Sequence, residues 1–287
     1  MMRVGNSLLA VLLALVMAGC SVEIQGTASS EAVYLDNIPA FSGEPYVVIG
    51  DNRPDFEESE FTVNSFESYS PLDDLGRCHT AYACVGVDLM PTEDRGSIGS
   101  VKPSGWQTAK YDCVEGKYLY NRCHLIGFQL TGENANKSNL ITGTRYMNVD
   151  GMLPFENMVA DYVKETEQHV LYRVTPFYSG ENLVADGVRM EALSVEDRGE
   201  SICFDVYVYN CQPGVVIDYA TGESWLEGET GPASQEITYI LNTSSKKFHL
   251  PDCSGAASIS EGNREEFTGG RSELVKRGYE PCGKCKP

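Results

Sequence analysis

Arg122 and His124 stand two residues apart in Tyr118–Gly127 (YLYNRCHLIG), and Asn148 and Glu156 stand eight apart further on. Alternation along an extended segment puts residues i and i+2 on one face, so Arg122 and His124 point the same way and Cys123 the other. If a helix has begun by Asn148, then Asn148, Met152 and Glu156 stack along one of its sides. A neutral imidazole can take a proton from water near neutral pH, and an arginine can meet a phosphate. Together these types make a site for phosphodiester hydrolysis. Each has a plainer role when taken alone. A histidine ending a strand is commonly structural, and Asn139 and Asn148 could serve as ordinary turn or helix-cap residues.

A second set sits near the C-terminus, where His249 and Cys253 read HxxxC and Cys282 and Cys285 read CxxC. Four soft or borderline ligands in two close pairs suit tetrahedral Zn²⁺, and four protein ligands leave no open position, so the site is structural. A disulfide from Cys253 to Cys282 or Cys285 is the alternative in an oxidising compartment. Spacing alone does not choose between them.

The elements that must position these residues follow from periodicity. Tyr118 to Gly127 mixes aromatic and aliphatic residues as a buried strand does, and a polar loop with Asn134, Asn136, Lys137 and Asn139 follows it. From about Asn148 the apolar residues Met152, Phe155, Met158, Val159, Tyr162 and Val163 recur at helical spacing, with Glu156 bordering the stripe. Gly151 and Pro154 make the first turn irregular. Further strands are expected over Tyr46–Ile49, Phe61–Asn64, Ala81–Leu89, His169–Tyr178, Leu183–Ser194, Ile202–Asn210 and Val215–Tyr219. One long helix among many strands is an α+β pattern with one central sheet. Pro91–Trp106 reads as a loop in which Arg95 and Lys102 are expected to be solvated charges, and His79 and His169 to be structural or surface residues.

These residues resemble the DNA/RNA non-specific endonucleases of the ββα-metal type, in particular the DNA-entry nuclease branch. NRCH at Asn121–His124 stands where that family carries DRGH, with Asn121 for its aspartate and Cys123 for its glycine. The resemblance runs on through KSNLITGT, RYMNVDGM, PFEN, HVLYRVTPFY, FDVYVYNCQPG and IDYATG, roughly Asn64 to Ser224. It implies a ββα-metal nuclease with a central antiparallel sheet. His124 would be the general base, Arg122 the phosphate-stabilising arginine and Asn148 the Mg²⁺ ligand. Glu156 would act through a metal-bound water, and Asn139 would be a further site asparagine. DNA and RNA would be the substrates, cut with little sequence preference.

The ends of the chain add a compartment and a second module. Arg3, the apolar run Leu8–Met17 and VMAGC resemble a bacterial lipoprotein leader, which implies lipidation of Cys20 and an extracytoplasmic protein anchored to the membrane. An ordinary secretory cleavage nearby is the alternative. The expected division is a leader over 1–19, a tether over 20–39, the nuclease domain over 40–225, a linker over 226–236 and a metal-binding module over 237–287. FHLPDC and GYEPCGKC in that last module resemble the zinc-binding module of Ada-type DNA-repair proteins. Its core is expected to be a strand, a turn and a strand, then a short helix near Arg271–Arg277.

Charge runs against a polyanion substrate. The whole chain carries a net −19, and residues 20–236 hold 13 Lys plus Arg against 35 Asp plus Glu. Such a surface gives no long-range attraction for nucleic acid, so binding has to rest on a local basic cleft and on bound cations. A surface lipoprotein that captures nucleic acid without turnover is the alternative from another functional class.

Overall fold

The computed structural model describes residues 38–229, 231, 237–285 and 287. The expected leader, Cys20, the tether up to residue 37 and part of the linker lie outside the described residues. Among the described residues no helix is long and apolar enough to cross a membrane.

Strands β1 (Tyr46–Val48), β2 (Phe66–Tyr69) and β3 (Ala81–Val85) precede a ribbon of β4 (Tyr120–His124) and β5 (Leu140–Thr144). After it come β6 (Val170–Phe177), β7 (Gly187–Ser194) and β8 (Cys203–Tyr209). These six form one antiparallel sheet in the order β1-β8-β7-β6-β3-β2. Alternation gives the sheet a largely apolar face. Val170, Tyr172 and Val174, then Val188, Met190 and Ala192, then Phe204, Val206 and Val208 all point into the same core. Helix α2 (Leu153–Thr166) lays Phe155, Val159, Ala160 and Val163 against that face. The opposite face carries buried acids, each held by an arginine. Arg173 Nε lies 2.8 Å from Glu191 and Arg189 Nη2 lies 2.7 Å from Asp205, pairing that a buried carboxylate requires.

The strand that carries His124 is not in this sheet. β4 (Tyr120–His124) pairs with β5 (Leu140–Thr144) in a separate antiparallel ribbon, with Arg122 opposite Thr142 and His124 opposite Leu140. The expected central antiparallel sheet is present without this strand, and the reading of the stretch after Gly127 as loop alone is corrected. It holds the short helix α1 (Phe128–Thr131) and then β5. Cys123, Leu125, Ile126 and Ile141 tie the ribbon into the sheet–helix core. Gly143 allows a close approach, because a Cβ there would meet Cys123 Sγ at 2.4 Å. Buried Asn210, just after β8, clamps the outer edge of β5. Its amide donates to the Thr142 and Ala185 carbonyls, and its oxygen accepts from Thr144 N–H.

Several boundaries differ from expectation. Phe61–Asn64 is not a strand. Phe61 packs from a loop beneath the Arg198 guanidinium, and the edge strand β2 begins at Phe66 instead. β3 stops at Val85 rather than running on to Leu89, and Gly86 just beyond it allows a close approach, since a side chain there would collide with Ser65, Asp88 and His169. The long helix is preceded by a wider π-helical turn, Met147–Met152, that carries Asn148.

After a hairpin of β9 (Val215–Ile217) and β10 (Ser224–Leu226), the C-terminal residues build their own sheet. Its strands are β11 (Ile237–Asn242), β12 (Lys247–His249), β13 (Arg264–Gly269) and β14 (Glu280–Pro281), in the order β13-β11-β12-β14. Helices α3 (Ser254–Ala257) and α4 (Arg271–Lys276) complete it. Tyr239, Leu241, Phe248, Leu274 and Tyr279 form a small core of their own.

Candidate active site

A cleft of about 710 Å³ opens between the β4–β5 ribbon and the N-terminal end of α2. Arg95, Arg122, His124, Asn148 and Glu156 all line it. β4 delivers Arg122 and His124 on one face, as alternation requires, while Cys123 is buried on the other. The π-helical turn and the first turn of α2 deliver Asn148 and Glu156 to the opposite wall.

His124 is 5 % exposed, and its two ring nitrogens have different partners. Nε2 lies 2.8 Å from the Asn134 carbonyl oxygen, which can only accept, so Nε2 carries the proton. Nδ1 is left with its lone pair toward the cleft, 3.2 Å from Arg95 Nη2. Burial, reinforced by the Arg95 charge, pushes the imidazole pKa down to about 4 against the support of the Asn134 carbonyl. The ring is therefore neutral near pH 7, the state in which a histidine accepts a proton.

Arg122 donates through Nε to the Val101 carbonyl and through Nη2 to the Gly99 carbonyl at 3.1 Å. Its guanidinium carbon lies 3.9 Å from the centre of the Trp106 ring. Held in this way, it keeps N–H groups free for an anion in the cleft. Arg145 also lines the cleft, while reaching Glu115 at 3.2 Å. Three arginines against one carboxylate make a local basic cleft on an acidic chain.

Glu156 sits half-buried beside the backbone of Gly127, where a Cβ would meet its Oε2 at 2.6 Å. Burial lifts its carboxyl to about 7, with the Arg95 charge opposing. No protein hydrogen bond is made by Glu156 or by the Asn148 side chain among the described residues. A carboxylate short of counter-charge and an amide without a partner, on one wall, are an oxygen donor set that fits a hard dication.

One expectation is extended and one corrected. Arg95, read as a solvated loop charge, is exposed as expected but also lines the cleft, beside His124 and near Glu156. Nothing in its loop, which has no periodicity, marked it apart from Lys102, which lies outside this cleft. Asn139, expected as a further site residue, is 0 % exposed and faces away from the cleft. Its amide accepts from Ile126 N–H at 2.8 Å and donates to the Ile126 carbonyl at 3.0 Å, which spends it on holding the turn after His124. His169 pairs with Glu196 at 2.7 Å and His79 lies 3.8 Å from Asp73, both away from the cleft.

In the C-terminal sheet, His249, Cys253, Cys282 and Cys285 bring their ligand atoms within 4.8 Å of one another. Backbone N–H groups donate to two of the sulfurs, from Gly255 to Cys253 Sγ at 3.3 Å and from Lys284 to Cys282 Sγ at 3.4 Å. The backbone N–H groups of Cys285 and Lys284 favour the Cys282 thiolate and lower its pKa. Among the described residues His249 Nδ1 is buried with no partner, and no cysteine is in a disulfide. An orphaned imidazole nitrogen facing three sulfurs fits a tetrahedral metal.

Residues 59–196 match the family model for DNA/RNA non-specific endonuclease. A deoxyribonuclease from Streptococcus dysgalactiae subsp. equisimilis is 34 % identical over 200 residues, which cover 54 % of this chain and 59 % of that protein. The chain thus spans about three-fifths of the length of that curated relative. The crystal structure of NucA from Streptococcus agalactiae with magnesium ion bound superposes with a TM-score of 0.59 at 25 % identity, covering 67 % of this chain and 92 % of that one. The structure of Sda1 nuclease with bound zinc ion gives 0.53 at 27 % identity, over 63 % and 96 %. The mixed α/β fold with its large antiparallel sheet is the fold of these nucleases.

Proposed function

We propose that the chain is a metal-dependent nuclease of the DNA/RNA non-specific endonuclease family, cutting phosphodiester bonds in DNA and RNA with little sequence preference. The observation that carries this reading is the convergence of a neutral His124 with Arg122, Arg95, Asn148 and Glu156 in one basic cleft. His124 Nδ1 takes the proton of the attacking water, worth roughly 10² to 10⁴ in rate. Nε2 stays bonded to the Asn134 carbonyl, which holds the ring in its plane and steadies the imidazolium as it forms. Arg122 and Arg95 meet the phosphate, and a bound phosphate competes with His124 Nδ1 for the Arg95 guanidinium. That competition frees the lone pair when substrate arrives. Asn148 supplies an amide oxygen to Mg²⁺, and Glu156 orients one of its waters. A dication held there would supply Lewis-acid neutralisation of the negative charge on the phosphate. No residue in this account reads a base edge, which is the basis for weak sequence preference.

Zn²⁺ held by His249, Cys253, Cys282 and Cys285 is the structural metal of the C-terminal module in this reading. A lipid on Cys20, the residue that follows the 1–19 leader, anchors the protein outside the cytoplasm. The test is incubation of the protein with supercoiled plasmid and with RNA, in Mg²⁺ or in EDTA. Nicking and degradation in Mg²⁺ that stop in EDTA are expected. Binding of either nucleic acid without cleavage in any divalent metal would favour a capture protein instead.

A further inference from the structure

The cleft continues along β4 past the proposed catalytic residues to an aromatic ring that the hydrolysis does not use. Tyr118, Tyr120, Arg122 and His124 recur at every second position, and all four line the cleft. Tyr120 is buried and its hydroxyl donates to the Gly222 carbonyl, so it belongs to the wall. Tyr118 differs. It is 50 % exposed, although a ring of that size is usually covered when it has a packing role. Lys110, its partner across an isolated antiparallel bridge, lies over the ring with Nζ 4.3 Å from the centroid. The ammonium fixes the ring from one side, and the exposed ring surface borders the cleft. It stands two residues before β4, beyond a bend at Leu119, and so away from His124 at the strand's other end.

We infer that Tyr118 is a stacking platform for an unpaired base a few nucleotides away from the bond that is cut, with Lys110 beside it for the backbone phosphate. The inference rests on the nuclease reading and adds a substrate class to it, single-stranded nucleic acid or locally opened duplex. A paired base shows only its edges to a groove, so a ring that takes a base face needs the base out of its stack. Aromatic platforms with adjacent cations bind single strands without regard to sequence, because every base has a π face. This agrees with a cleft that reads no base edges.

The test compares wild type with Tyr118→Ala and Tyr118→Phe on a single-stranded oligonucleotide and on bis(p-nitrophenyl) phosphate, a diester without bases. In Tyr118→Ala, kcat/KM on the oligonucleotide relative to the base-free diester should fall roughly fivefold or more, mainly through KM, and Tyr118→Phe should restore it. Equilibrium binding of the same oligonucleotide in EDTA should weaken by a similar factor. An oligonucleotide with abasic residues throughout should then bind wild type and Tyr118→Ala alike. An unchanged ratio together with unchanged binding, in an enzyme that cleaves, overturns the platform. Wild type that cleaves neither substrate overturns the nuclease reading, and the binding comparison then decides the platform alone.

Discussion

Replacing Glu156 with glutamine should make the metal-free protein more stable while crippling the enzyme. The carboxyl is lifted from 4.5, the ordinary glutamate value, to about 7 by burial. A group whose folded value is raised contributes fully below its unfolded value and loses that contribution as pH rises through the folded one. At pH 8 the charge has therefore been forced on the fold. Each factor of ten in acidity is worth about 1.4 kcal/mol, so the ionised side chain costs up to about 3 kcal/mol. Glu156 is only half-buried at the cleft wall, and solvent screening reduces this to about 1 to 2 kcal/mol. At roughly 2 to 4 °C per kcal/mol for a domain of this size, Glu156→Gln should melt about 2 to 8 °C higher than wild type in EDTA at pH 8. At pH 4.5 the difference should vanish, because the carboxyl is then largely protonated in the folded state. Adding Mg²⁺ should raise the melting temperature of wild type more than that of the variant. Calorimetry over this pH range decides the matter. A variant less stable than wild type in EDTA at pH 8 would refute the claim that Glu156 is short of counter-charge.

Three further outcomes follow from single contacts. Gly127→Ala, at a backbone conformation open to alanine, should keep the fold but push the Glu156 carboxylate aside, raising the Mg²⁺ concentration needed for half-maximal cleavage at least severalfold. Asn210→Leu should cost roughly 3 kcal/mol or more in chemical denaturation, because it leaves Thr144 N–H and two carbonyls buried without their partner. About one zinc per protein is expected by elemental analysis, lost in His249→Ala. A chelator should unfold the C-terminal sheet and spare the nuclease fold, since such modules draw ~10 to 16 kcal/mol of folding energy from the metal. Absence of zinc, with sensitivity to reductant instead, would favour the disulfide alternative.

Local pattern was informative wherever it carried geometry. Alternation brought Arg122 and His124 to one face, a switch to helical spacing marked α2, and HxxxC with CxxC marked four residues that do converge. What stayed hidden depended on distant contacts. Whether the Asn139 amide faced cleft or core turned on the position of Ile126, thirteen residues earlier and across the turn. Arg95 lies in a loop without period, and its place in the cleft shows only through its neighbours His124 and Glu156, which are remote in sequence. β5 follows directly on polar Asn136–Asn139 and was masked by it. β13, with its charged REEF stretch mostly exposed at a sheet edge, has too little alternation to show.

The central claim is that His124, neutral and aimed into the cleft, takes the proton in a metal-assisted cut. Plasmid cleavage by His124→Ala in Mg²⁺, with folding checked by circular dichroism, measures this most directly. The account predicts a loss of at least about a hundredfold in kcat, since proton transfer is removed while Arg122, Arg95 and the metal donors remain. A folded His124→Ala protein that cuts at close to the wild-type rate would contradict it.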